Sequence, residues 1–314
     1  MSQPTNTFET YDAVGNREHL VDMIYNLNTA ETPLLSSIAR VDSGSTKHEW
    51  QTDAYAAAAT NYNAEGDDAG ADASTATVRL FNYMQILDKV ASVSGTQEAV
   101  KHAGRGSEMG YQMAKRTKEL KKDLEFAIFD NNAYVAGSGD AATSREMGGI
   151  PAYVKTNFDK NDATMGAAGG GTAVTPGTAI ALTESRLKNV IQKAWGNGGN
   201  PDTIYCTAFN KQVISTFSGN GTRFIQADAN KLNAAYDIYA SDFGELKVVP
   251  SRHGETDMVY VIDTGALHLA VLRDFQINDL AKTGDADRKQ LLIECTLQVD
   301  NEKAHGLIVD VSNA

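Results

Sequence analysis

The sequence predicts an α+β protein, and three observations carry that expectation. Residues 183–283 alternate helical and strand-like segments in the manner of a compact α/β unit. A long helical stretch beginning near Ser107 lies between strand-forming runs placed far before and far after it. Between Trp50 and Val78 runs a stretch rich in Ala, Asp, Asn and Gly, too long for an ordinary connection, with β-compatible arms on both sides.

The first 16 residues are polar and read as an arm. REHLVDMIYNLN places Leu20, Ile24 and Leu27 at helical spacing, and TPLLSSIARV follows with Thr32 as N-cap and Pro33 at the first helical position. Each helix is too short to stand without another surface. TKHEWQTDAYAAA and STATVRLFNYMQILDKVASVS then flank the acidic centre. Val78, Leu80 and the run from Met84 to Val90 suit a strand. Two arms of about 15 residues would project roughly 50 Å, and a lone two-stranded ribbon is marginal in water, so it should lie on something else. A neighbouring copy of the chain is the simplest support.

In TQEAVKHAGRGSEMGYQMAKRTKELKKDLEFAIFDNNAYV, Gly104, Gly106 and Gly110 predict a short helix, a break, and a long helix from about Ser107. Leu120, Leu124, Ala127 and Ile128 form its apolar stripe, with Lys118, Lys121 and Lys122 largely off it. Residues 136–182 read as a loop system around the more structured MGGIPAYVKTN. TESRLKNVIQKAWGNGG is a helix capped by Thr183, burying Leu187, Val190, Ile191 and Ala194 and stopping at Gly196. DTIYCT, ELKVVPS and MVYVID read as strands around a helix over FNKQVISTF. LLIECTLQVD puts Ile293, Cys295, Leu297 and Val299 on one face. It turns at NEKAHG and returns as LIVDVSN, a closing hairpin expected to join the long-helix region.

The 314 residues, 42% hydrophobic, can bury a real core, and no run approaches the roughly 18 apolar residues of a membrane span. The N-terminus lacks the basic-then-apolar pattern of a secretion signal, so neither secretion nor membrane insertion is expected. Cys206 and Cys295 stand apart without metal-ligand spacing and read as buried free thiols. A net charge of −12 argues against a free-standing nucleic-acid binder. The charge is uneven. Lys115, Arg116, Lys118, Lys121 and Lys122 cluster in KRTKELKK, whereas Glu65, Asp67, Asp68 and Asp72 cluster without a base. Opposite patches suggest contact within or between subunits, although two solvated surfaces would read the same way.

Catalytic patterns fail in turn. GAAGGGTAVTPG lacks the frame of a phosphate loop, and no Ser sits in GxSxG. His19, His48, His102, His253, His268 and His305 are scattered singly. Cys206 lies in an apolar strand, and Asp67 with Asp68 sits in a glycine-flanked turn unsuited to fixed acid/base geometry. No catalytic, cofactor or metal residue is assigned. An α/β enzyme with an unrecognised site is the disfavoured alternative.

The order of parts resembles the HK97-like fold of tailed-bacteriophage major capsid proteins, and TYDAVGNREHLVDMIYNLNTAETPLLSSI, HEWQTDAYAAAATNYNAEGDDA, SGTQEAVKHAGRGSEMGYQMAKRTKELKKDLE and MGGIPAYVKTN resemble one family of them. The resemblance implies an N-terminal arm and short helices over 1–47, an extended loop over 48–92, and a peripheral domain with a spine helix over 93–182. An axial domain would occupy 183–283, and 284–314 would return to the peripheral domain. It further implies a structural, non-enzymatic protein that self-assembles through pentamers and hexamers into an icosahedral virion shell around double-stranded DNA, held by weak non-specific contact, without cofactor or membrane. Assembly would take place in the host cytoplasm. Glu65, Asp67, Asp68 and Asp72 would form an intersubunit contact. Lys115, Arg116, Lys118, Lys121 and Lys122 would face a neighbour or DNA. About 47 residues precede the loop, so a separate scaffolding protein is expected, together with a portal. No Lys lies between Lys47 and Lys89, so the loop-lysine cross-link of some relatives is not expected. An encapsulin-like cargo shell is the alternative within the same fold.

Overall fold

A computed structural model describes residues 31–68, 70, 74–138, 143–166, 171–217 and 238–313. The polar arm, the helix expected over REHLVDMIYNLN, and Asp72 lie outside these residues. The described strands are β1 (Ala39–Asp42), β2 (Lys47–Thr52), β3 (Val78–Tyr83), β4 (Gln85–Ser94), β5 (Phe158–Asp159), β6 (Thr203–Cys206), β7 (Ile238–Ser241), β8 (Gly244–Pro250), β9 (Val259–Ile262), β10 (Leu267–Asp279), β11 (Ala286–Val299) and β12 (Gly306–Ile308). The helices are α1 (Pro33–Ser37), α2 (Gly95–Ala99), α3 (Glu108–Phe129), α4 (Glu184–Gly196) and α5 (Ala208–Thr216).

The strands form a four-stranded sheet ordered β1-β10-β11-β4, a six-stranded mixed sheet ordered β5-β12-β9-β6-β8-β7, and a separate β2-β3 pair. Period-two alternation sorts the six-stranded sheet's side chains between two faces. Ile204, Cys206, Val259 and Val261 pack with Leu187, Val190 and Ile191 of α4 and Ile214 of α5. Tyr205, Tyr260 and Ile262 face the larger core that holds α3. There Phe129, the last residue of α3, lies 5.6 Å from the Tyr205 ring and 4.9 Å from that of Tyr260, whose hydroxyl donates to the Phe129 carbonyl at 2.8 Å. The long helix thus ends locked into the α/β unit.

The rest of α3 packs on the four-stranded sheet. Leu120, Leu124 and Ile128 are buried in one core with Leu87, Ala91 and Val93 of β4 and Leu291 and Ile293 of β11, while Ala127 is partly buried against it. Ser107 caps the helix by accepting from Gly110 N–H at 3.1 Å, and Glu98 Oε2 accepts from the first two helical amides, Glu108 and Met109, at 3.1 Å each.

Four expectations change at the level of elements. TPLLSSIARV is not all helix: α1 ends at Ser37 and Ala39–Asp42 pairs in parallel with β10. The β-branched Val41 is better used there on a pleated surface, and Ile38 at the end of α1 already takes an extended conformation. Thr32 holds the cap position of α1 without making a side-chain cap bond. The two 15-residue arms reduce to a six-pair ladder from Lys47↔Tyr83 to Thr52↔Val78, and the run from Met84 to Val90 turns into β4 of the larger sheet. Met84 is fully buried at the turn and its N–H donates to the Thr46 carbonyl at 2.9 Å. Beyond Thr52 the Ala-rich sequence offers no alternating apolar face to hold a longer ladder.

The 183–283 unit gives up β10 to the four-stranded sheet and gains β5 and β12 from outside that range. The closing hairpin does not form either. β11 pairs with β4 and β10, whereas β12 pairs with β5 and β9. A short 3-10 turn over Glu302–Ala304 redirects the chain, fixed by Glu302 Oε2 accepting the Lys155 and Thr156 amides at 2.6 and 3.0 Å.

Asp310 organises the Gly-rich loops. It holds φ +57, and its carboxylate accepts from the amides of Asn161, Asp162 and Ala163 at 3.0, 3.1 and 2.8 Å and of Gly177 at 2.7 Å. Low-complexity sequence is thereby folded around a single buried anion.

Candidate assembly surfaces

The 48–92 segment has a rigid root and an unsupported end. At the root Trp50 is buried with its ring 5.9 Å from Tyr153, whose hydroxyl donates to the Phe81 carbonyl at 2.8 Å. Asn82 is fully buried. Its Nδ2 donates to the carbonyls of Leu297 at 2.9 Å and Gly148 at 3.2 Å, and its Oδ1 accepts from Gly148 N–H at 2.9 Å. From Asp53 to Arg79 every described residue is exposed. Tyr55 and Tyr62 are 104% and 85% exposed, an unusual state for large aromatic groups.

The acidic centre is a defined turn. Asp67 N–H donates to the Ala64 carbonyl at 3.2 Å, and Gly66 takes φ +84, the left-handed conformation that glycine adopts without strain at the third position of a type II turn. Glu65, Asp67 and Asp68 project into solvent, and among the described residues no cation lies within 4 Å of them.

On α3, Lys115, Lys118 and Lys121 are exposed and Lys122 is half-buried. Among the described residues none of the four has a carboxylate within ion-pair distance. Arg116 differs, since its Nη1 meets Glu119 Oε2 at 2.7 Å, so its charge is largely spent within the helix. The structure does not bring the acidic turn and the basic helix together within one subunit.

Sequence reasoning passed over Glu125. It is fully buried on α3, where Oε2 accepts Leu35 N–H at 3.2 Å and Oε1 has no partner. Burial raises its carboxyl to about 7, and the Leu35 and Leu34 amides only partly oppose that rise. An acid inside an apolar stripe was the available signal. Cys206 and Cys295 are buried, with burial pushing both thiols up to about 12, a state unsuited to nucleophilic chemistry. Among the described residues no helix is long and apolar enough to cross a membrane.

Known proteins are similar to this chain in sequence and in architecture. The family model for the SU10 major capsid protein matches residues 3–312. The major capsid protein of Escherichia phage Phieco32 is 26% identical over 347 residues, covering 98% of this chain and 97% of its own. Among solved structures, the capsid of the native GTA particle has a TM-score of 0.65 at 11% identity, covering 95% of this chain and 96% of that one. The Cyanophage A-1(L) capsid has a TM-score of 0.64 at 15% identity, covering 96% and 98%. The holo-SrpI encapsulin complex from Synechococcus elongatus PCC 7942 reaches 0.59 at 9% identity, covering 96% and 94%. These likenesses show an HK97-like fold. A fold built for shells, a match along nearly the whole sequence and large exposed side chains on a rigidly rooted loop agree: this chain belongs to the SU10 major capsid protein family and has a structural, shell-forming role.

Proposed function

We propose that the chain builds an icosahedral virion shell around double-stranded DNA, with the exposed loop laid over a neighbouring subunit. The observation that carries this reading is the contrast within one segment, a buried root at Trp50 and Asn82 against an end whose described residues from Asp53 to Arg79 are all exposed. Ordering such an end in solution costs conformational entropy with no burial in return, whereas a neighbour's surface supplies that burial. Heterologous contacts of this kind close into rings, and many modest ones per subunit hold a shell once assembly has begun.

In this reading the four-stranded sheet with α3 is the peripheral domain and the six-stranded sheet with α4 and α5 the axial domain. The acidic turn at Glu65, Asp67 and Asp68, with Asp72 beyond it, is an intersubunit contact. The basic residues of α3 face a neighbour or DNA. Packaged DNA is held by weak non-specific contact, in keeping with the acidic net charge. A separate scaffolding protein and a portal complete the assembly, which takes place in the host cytoplasm.

Negative-stain electron microscopy of the purified chain, alone and with a co-expressed scaffolding protein, tests the reading. Closed shells, or rings of five and six, are the expected result. A uniform small oligomer under both conditions would overturn it. A cargo-holding shell shares the fold, but the family match and the Phieco32 relative favour the phage reading.

A further inference from the structure

We propose that Glu125 is a proton-operated latch for α1: the protonated carboxyl holds residues 31–38 on the long helix, and its ionisation frees them as far as β1. The latch belongs to the single subunit and goes beyond the shell-forming reading.

The first support is how few anchors α1 has. Five residues are too short to hold a helix unaided. The N-cap position makes no side-chain bond, and Leu34 supplies the buried apolar contact. Two polar side-chain contacts tie α1 to other elements: Leu35 N–H donates to Glu125 Oε2 at 3.2 Å, and Ser37 Oγ lies 3.0 Å from Tyr205 Oη. The strand that follows is held separately, by four residue pairs with β10 from Ala39↔His268 to Asp42↔Val271. A release of α1 therefore stops at Ile38.

The second support is that nothing else around Glu125 relieves its charge. It is fully buried, and Oε1 has no partner. The sequence of α1, PLLSS, brings no titratable side chain. The six-stranded sheet brings Tyr205, whose hydroxyl is pushed up chiefly by burial, with the Ser37 bond opposing and Asp202 and Glu125 adding to the rise. One turn earlier on α3 stand Lys121, exposed, and Lys122, half-buried, and neither comes within ion-pair distance of Glu125. Lys89 of β4 is engaged with Asp123 at 2.6 Å. Beyond the end of α3, Asp130, Glu255 and Asp257 add acids and no base.

Those acids also mark the contrast. Burial pushes Glu255 and Asp257 up, yet both are half-exposed and can take water where they stand. Glu125 reaches water only if its cover moves, and α1 lies directly on its bonded oxygen. A buried carboxylate with one hydrogen bond and no cation is costly enough to move a short, weakly anchored segment.

Burial places the folded value of Glu125 at about 7, above its ordinary 4.5, so closure is favoured at low pH and lost as pH rises through that range. Opening shifts the point at which the first 30 residues leave the body from Glu31 to Ala39. The eight residues released reach about 28 Å at most when extended. The latch thus sets how far from the body the N-terminal segment is tethered.

Amide hydrogen exchange of the full-length soluble subunit, corrected for the intrinsic pH dependence of exchange, tests the latch. Protection at Leu35, Ser36 and Ile38 should fall about tenfold or more between pH 5 and pH 8, and should stay flat in Glu125→Gln. Ser37→Ala removes the other polar contact without removing the acid. It should lower the same protection at every pH and leave the tenfold fall in place. At pH 8 the amides of Leu120 and Leu124 should remain about tenfold or more better protected than those of α1, and dilute urea should speed exchange in α3 but not in α1, as local opening requires.

A flat profile in the unaltered chain would overturn the latch whether or not Glu125→Gln folds. An undiminished fall in Glu125→Gln would assign the proton to another group and overturn it equally. Equal protection of α1 and α3 at pH 8, with the same response to urea, would show that the whole subunit opens at once and would overturn it too. None of these outcomes bears on shell formation, which electron microscopy reads separately.

Discussion

Glu125 on α3 accepts the backbone N–H of Leu35 at 3.2 Å, joining the long helix to α1 across 90 positions of sequence. The five-residue α1 lacks a side-chain cap of its own, so this carboxyl satisfies one of its orphan amides. Close by, Ser37 Oγ and Tyr205 Oη lie 3.0 Å apart, which ties the same short helix to the six-stranded sheet. One buried acid therefore sits where three parts of the subunit meet.

That acid should make stability fall as pH rises from about 4.5 to about 7. Its folded pKa, about 7, lies above its ordinary 4.5, so in this window the native state binds more protons than the unfolded chain. The stabilisation is complete at low pH and is lost on ionisation, by about 3 kcal/mol at most. Glu125→Gln keeps an acceptor for Leu35 and removes the charge. Its melting temperature should exceed that of the unaltered chain at pH 8, with the gap closing towards pH 5. Parallel melting curves for the two proteins across that range would refute the assignment.

Asp310 should behave in the opposite sense. Burial pushes its carboxyl up, but the amides of Gly177, Ala163, Asn161 and Asp162 outweigh burial and hold it below the carboxylate range. Its contribution is present above the ordinary pKa and disappears as pH falls through the lower folded value. Asp310→Asn tolerates the left-handed backbone while removing the charge, and should cost about 2 kcal/mol. Asp310→Ala adds backbone strain and should cost more. Hydrogen exchange should show lost protection at the amides of Asn161, Asp162, Ala163 and Gly177. Unchanged exchange there would show that the Gly-rich loops are held by something else.

How much of this was legible in the sequence depends on the range of the forces. Ser107, Thr183 and the stripe of Leu120, Leu124 and Ile128 announce their helices because capping and 3.6-residue periodicity are local. The destination of β12 was not legible. Whether Leu307 and Ile308 return to β11 or cross to β9 depends on Glu302 finding the Lys155 amide, a contact 147 residues away. The acidic turn shows in composition, and Gly66 marks its shape. Arg116 could have been sorted from its neighbours, since Glu119 stands at i+3. Asn82 and Glu125 gave weaker signals, because a polar residue in an apolar run announces burial only once its partners are known.

Denaturing gels of mature particles should show monomers and no covalent ladder. A loop-lysine isopeptide bond needs an ε-amine in the loop, and no Lys lies between Lys47 and Lys89. The described loop residues between β2 and β3 carry hydroxyl, carboxyl, amide and methyl groups, with no amine nucleophile. Shell stability must then come from non-covalent contacts, and particles should dissociate fully in denaturant. A ladder that survives boiling in detergent would contradict this.

Asn82→Ala should separate folding from assembly at the root of the loop. Its amide bridges β3 to the Gly148 backbone and to the Leu297 carbonyl of β11, so it fixes the angle at which the β2-β3 ribbon leaves the body. Truncation leaves buried backbone groups without partners, at about 2–3 kcal/mol. The larger core, with Leu120, Leu124, Leu291 and Ile293, does not depend on this side chain, so the subunit should still fold cooperatively at a lower melting temperature. Shell yield should fall further than that loss of stability accounts for, because every loop in a closed shell must leave its subunit at the same angle. The check is to compare shell yield with that of a variant matched in melting temperature, such as Ile191→Ala on α4, in the core shared with Leu187 and Val190 and remote from the loop. Equal yields would mean that the root contributes stability alone.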